Sequence, residues 1–175
     1  MKNKNLKKAS ELNISTFEFD KDNENQESFL KIVASDKDCY FYFGHSVAAY
    51  NDKIVVGSPE NRGGLGAAYI YDLNGKNQIR IAHTYKIGEA KFGKSVAISE
   101  NKVIVGAPHA DEIGAVYIYD INGKNEIKIT PPDGKKGDRF GYSVAITNNK
   151  VVVGAPKNNG TGSVYVYDLN EKKRN

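Results

Sequence analysis

"FGYSVAITNNKVVVGAP", residues 140–156, sets two apolar runs on either side of an Asn-Asn turn and brackets them with Phe-Gly and Gly-Ala-Pro. The same pattern occurs twice more, as "FGKSVAISENKVIVGAP" from Phe92 and "FGHSVAAYNDKIVVGSP" from Phe43. The three Phe-Gly pairs are spaced 49 and then 48 residues apart. A fixed period of roughly 20–50 residues marks a repeat architecture and has to be read before local propensities are.

The middle unit, residues 92–139, reads as four antiparallel strands, A to D. "FGKSVAI" is turned back by Ser99-Glu100-Asn101-Lys102 into "KVIVGAP", which Pro108 ends because it has no N–H for the ladder. The loop "HADEIG" leads into "AVYIYDI", and Asn122-Gly123-Lys124-Asn125 supplies a hairpin turn before "EIKIT". "PPDGKKGDR" then runs to the next Phe-Gly.

Strand B is apolar on both faces, Val103 and Val105 against Ile104, and so is strand C, Val116 and Ile118 against Tyr117 and Tyr119. Strand D alternates Glu126, Lys128 and Thr130 with Ile127 and Ile129. Inner strands buried on both faces with a half-exposed outer strand describe a sheet packed between similar sheets, a propeller blade. Strand A then lines the crowded centre, which explains small Gly93 and Ala97, and Gly106-Ala107 lets the end of strand B approach a neighbour. The fold expected is all-β, a partial β-propeller of four-stranded antiparallel blades.

Composition agrees. Among 175 residues, 11 Tyr, 7 Phe and Val/Ile-rich runs favour strands, and the length suffices for one domain with a core. The net charge of +4 is scattered over turns and the two ends, "MKNKNLKK" and "EKKRN", with no basic stripe or stacking platform, so no nucleic-acid partner is expected. Cys39 is the single cysteine and forms no internal disulfide. "ASELNISTFEFD" carries no apolar stretch for a signal peptide or membrane span.

The residues "FG…VGAP…G.VYIYD" resemble the FG-GAP repeat of integrin α-subunit β-propellers and of bacterial proteins built from the same blade. The likeness covers residues 43–169. It implies four-stranded blades, usually seven to a ring, an adhesion or ligand-binding role without catalysis, and an extracellular or surface setting. Many members carry a D-x-D-x-D-G-x-x-D calcium loop in the A–B turn. Here the corresponding turns, "YNDK", "SENK" and "TNNK", hold too few carboxylates to surround Ca²⁺. No metal and no cofactor is expected. "DKDNENQE", Asp20 to Glu27, lacks the glycine of a cation loop and reads as a solvated turn.

"STFEFDKDNENQESFLKIVA" aligns with strands C and D, with Phe17, Phe19 and Asp20 where Tyr117, Tyr119 and Asp120 stand. The organisation expected is a disordered basic segment 1–13, then a partial blade 14–42. Repeats 43–91 and 92–139 follow, then an incomplete repeat 140–170 and a basic tail 171–175. So few blades would struggle to close a ring, and three arrangements are expected as alternatives: part of a longer propeller, self-association that completes a ring, or a compact form closed by the N-terminal strands.

Catalytic patterns are missing. His45, His83 and His109 stand where other repeats place unrelated residues, His45 aligning with Lys94 and Tyr142, and read as exposed decoration. "GGLG" at 63–66 is followed by no helix, which rules against a phosphate loop. The sequons at Asn13 and Asn159 and the tripeptide Lys136-Gly137-Asp138 are explained by chance and by turn chemistry. What remains is loop surface. In a propeller the B–C and D–A loops share one face, which in integrin-like relatives meets the ligand. Here that face carries Asn61, Arg62, Glu89, Lys91, His109, Asp111, Glu112, Arg139, Asn158 and Asn159. The expectation is a non-catalytic module binding protein. A carbohydrate-binding propeller, accessory blades of a larger hydrolase or surface protein, and a purely structural fragment are the alternatives.

Overall fold

A computed structural model of the chain describes residues 14–16, 29–34, 42–60, 65–82, 89–147 and 149–170. Among these, three antiparallel sheets and one short two-stranded pair hold thirteen strands, with no α-helix.

Strands β1 (Ile14–Thr16) and β2 (Leu30–Ile32) pair antiparallel. The first full blade contains β3 (Ser46–Tyr50), β4 (Lys53–Ser58), β5 (Ala67–Asp72) and β6 (Ile79–Ala82) in that spatial order. The second contains β7 (Ser95–Ile98), β8 (Lys102–Ala107), β9 (Ala115–Asp120) and β10 (Ile127–Ile129). The third has β11 (Ser143–Thr147), β12 (Lys150–Ala155) and β13 (Ser163–Asp168). The antiparallel blades anticipated from the repeat are therefore present, and the fold is that of a partial β-propeller.

The blades stack face to face. Val55, Ala68 and Ile70 of the first blade pack with Val103, Val105, Tyr117 and Tyr119 of the second. The opposite face of the second blade, Ala97, Ile104, Val116 and Ile118, packs with Val151 and Val153 of the third. This is why strands B and C of the middle repeat are apolar on both sides: all of Val103 to Val105 and Val116 to Tyr119 are buried. The inner strands β3, β7 and β11 lie side by side.

The bracketing motifs form the joint between blades. Phe92 and Phe140 are fully buried, and each ring meets two tyrosines of its own strand C, Tyr117 and Tyr119 or Tyr165 and Tyr167, at centroid distances of 5.3–6.3 Å. Phe92 N–H donates to Leu65 O at 3.1 Å and Phe140 N–H to Ile113 O at 3.0 Å, tying each corner to the B–C loop of the preceding blade. Ser46 Oγ donates to Gly93 O at 3.0 Å, and Ser95 Oγ repeats the bond to Gly141 O at 2.9 Å. A Cβ on Gly57 or Gly106 would stand 2.1 Å from the carbonyl oxygen of Gly93 or Gly141. The glycine of the Gly-Ser-Pro and Gly-Ala-Pro corners of the first two blades is thus required where one backbone lies against the next.

The third blade differs. Val164 and Val166 are 70% and 62% exposed, whereas their counterparts Val116 and Ile118 are buried. Among the described residues nothing covers that face.

Candidate functional site

Each strand A is preceded by one four-residue corner: Tyr42-Phe43-Gly44-His45, Lys91-Phe92-Gly93-Lys94 and Arg139-Phe140-Gly141-Tyr142. The fourth N–H donates to the first carbonyl, at 3.0 Å in the first two and 3.2 Å in the third. The glycine has φ of 88°, 88° and 85°. The first residue is also left-handed, with φ of 65° at Tyr42, 55° at Lys91 and 60° at Arg139. A non-glycine residue in this region costs roughly 1 kcal/mol or more, so the conformation is held by the blade joint.

These corners meet at the inner edge of the blades. The first and fourth residues of all three line one cavity of about 290 Å³. Its remaining walls are the Gly-x-Pro corners of the first two blades, Pro59-Glu60 and Pro108-His109. The cavity is therefore built from equivalent positions of successive repeats, at the face where B–C and D–A loops gather.

Its electrostatics are cationic. Lys91 Nζ lies 3.0 Å from Glu60 Oε1 and 3.5 Å from Glu89 Oε2. Lys94 Nζ sits 5.3 Å from the centroid of the Tyr142 ring, a cation–π geometry. Burial lowers the His45 pKa, and the Lys94 cation lowers it further against the opposing pull of Glu60. Burial likewise lowers that of His109, reinforced by Arg139, Lys91 and Lys94 against Glu89. Both imidazoles thus favour the neutral state. Among the described residues no group of three or more His, Cys, Asp or Glu is placed to hold a metal ion.

The residues expected from sequence divide. His109 and Arg139 line the cavity, and Glu89 stands beside it on Lys91. Asp111 and Glu112 belong to the B–C loop of the second blade, where Asp111 pairs with Lys128 and Glu112 with Lys136 at 2.8 Å. Asn159 is exposed and accepts from Lys135 Nζ at 3.2 Å. Asn158 departs from the expectation: it is buried, donates to Asp138 Oδ2 at 2.8 Å and accepts from Ser163 Oγ at 2.6 Å. It shapes its loop instead of facing a ligand. Asp138 is buried too and also accepts from Lys135 N–H at 2.8 Å, so the Lys-Gly-Asp tripeptide is a folded turn. Asn61, Arg62, His83 and the stretch 20–27 lie outside the described residues.

Tyr42, Glu60, Lys94 and Tyr142 join the cavity wall beyond the residues expected from sequence, and so does His45, which reads from sequence as exposed decoration. The aligned set His45, Lys94 and Tyr142 was itself the signal: three unrelated side chains at one repeat position converge on one cavity.

A family model described as FG-GAP repeat matches residues 27–71, 88–119 and 124–167, more than half of the chain. The chain belongs to the FG-GAP repeat family. The matched segment 124–167 begins just before β10, the outer strand of the second blade, and runs into β13 of the third. It thus spans an FG-GAP joint instead of a single sheet. The FG-GAP family is generally non-catalytic. No curated protein matches the chain.

Proposed function

We propose that this FG-GAP chain is a non-catalytic propeller module that meets a protein ligand on the face formed by its B–C and D–A loops. The observation that carries the reading is the cavity lined by the corners of all three repeats, with His109 and Arg139 in its wall. A rigid scaffold presenting side chains that differ between repeats is how binding surfaces are commonly made. A carbohydrate reading is less supported, because Tyr42 and Tyr142 occupy different positions of the repeat and form no repeated stacking platform.

The test is selection of binders from a displayed peptide library, scored on variants. Binders that lose affinity for His109→Ala with Arg139→Ala, yet bind a variant of the opposite-end turn lysines Lys76→Ala with Lys124→Ala, support the reading. Binders indifferent to the loop-face changes overturn it.

The uncovered face of the third blade supports a proposal on assembly. Ala145, Val152, Val164 and Val166 correspond to Ala97, Ile104, Val116 and Ile118, which the chain buries under its next blade. A second copy of the chain is the occupant proposed, because the same chain already covers such a face twice.

A further inference from the structure

The repeat itself indicates what the cavity lacks. Lys91 and Arg139 are equivalent, each preceding a Phe-Gly, and Glu60 and His109 are equivalent, each following the proline of a Gly-x-Pro. At the first joint Glu60 supplies a carboxylate to Lys91 at 3.0 Å. At the second joint the residue in that place is an imidazole. The nearby carboxylates are engaged elsewhere: Glu89 with Lys91, Asp111 with Lys128, Glu112 with Lys136, and buried Asp138 with Lys135 N–H and Asn158. Among the described residues no carboxylate lies within ion-pairing distance of Arg139 or Lys94. Two cations from adjacent corners, Lys94 and Arg139, therefore face one cavity without a carboxylate partner among the described residues.

We propose that this cavity takes the carboxylate of an acidic side chain from a protein partner, held by Arg139 and Lys94 as Glu60 is held by Lys91. The proposal rests on the loop-face reading above and names what that face recognises. The Arg139 guanidinium offers two parallel N–H donors to a carboxylate, and Lys94 adds a point charge beside the Tyr142 ring. About 290 Å³ lies at the small end of ligand cavities and suits one side chain. A negative charge there offsets the cations around His45 (Lys94, opposed by Glu60) and around His109 (Arg139, Lys91 and Lys94, opposed by Glu89). Both imidazoles therefore report occupancy.

The full chain is titrated with end-blocked hexaglutamate, with hexaglutamine and with inorganic phosphate, following histidine ring resonances assigned with the help of His83→Gln. Hexaglutamate shifts the His45 and His109 signals saturably and raises their pKa values, while hexaglutamine does not. Arg139→Gln with Lys94→Gln weakens binding by about tenfold or more, Arg139→Lys by less, and Lys76→Gln with Lys124→Gln, an equal charge change at the far end, by at most about twofold. Hexaglutamate binding that survives the double cavity variant, or falls equally in the far-end control, overturns the proposal. So does phosphate binding without peptide binding. If hexaglutamate fails while selected binders still need His109 and Arg139, only the carboxylate assignment falls; if both fail, the loop-face reading falls too.

Discussion

Arg139 carries a cation at φ 60°, where glycine would rest without strain. Arg139→Gly should therefore leave thermal stability unchanged or raise it slightly, by about 1 kcal/mol at most, while removing the cation from the cavity. A thermal melt alongside a binding titration checks both halves. The fully buried Phe92 should behave oppositely: Phe92→Ala should cost about 3–5 kcal/mol in a urea titration. Glycines of the Gly-x-Pro motif make a matched pair. Gly106→Ala drives a Cβ to 2.1 Å from Gly141 O and should destabilise by about 1–3 kcal/mol or more. Gly154→Ala meets only the Ser143 side chain at close range, Oγ at 2.3 Å, which can rotate away, so it should cost far less. The candidate residues His109 and Arg139 were legible in sequence because they flank repeated motifs. Asn158 was misplaced because an asparagine in a polar loop gives no sign of whether its amide faces water or a buried aspartate.

Blades were readable as elements because their punctuation recurs. Pro108, Asn122-Gly123 and the two-faced apolar runs each fix a strand end or a burial state by local rules. One device became visible only in the pairing. Lys53, Lys102 and Lys150 open strand B directly opposite Asp72, Asp120 and Asp168 at the end of strand C. Each lysine bonds its aspartate, Lys102 at 2.6 Å and Lys150 at 2.8 Å, and these bonds hold all three carboxyls below the usual carboxylate range. A depressed folded pKa means that the unfolded chain takes up protons first. The contribution is therefore complete above the ordinary carboxylate value of about 4 and is lost as pH falls through the folded values. Urea midpoints should begin to fall as pH drops through about 6.5, because His45 and His109 take up protons more readily in the unfolded chain, and should fall again below about pH 5, where Asp120→Asn should make the decline shallower.

At the scale of the whole molecule, stability is a sum of blades and of joints between neighbours. Light scattering across a concentration series should show a dimer, and Val164→Asp with Val166→Asp should return it to monomer with strand content unchanged. A monomer at every concentration would defeat the second-copy proposal. Because each joint unites residues about one repeat apart, none requires the two ends of the chain to meet. During synthesis the first blade, complete at Ala82, keeps Val55, Ala68 and Ile70 bare until strands B and C of the next repeat have been added. At ribosomal speeds of roughly 5–20 residues per second that wait lasts a few seconds. The nascent chain thus grows with one sticky face always at its leading edge, and chaperones would find the same binding site offered, buried and offered again with every repeat.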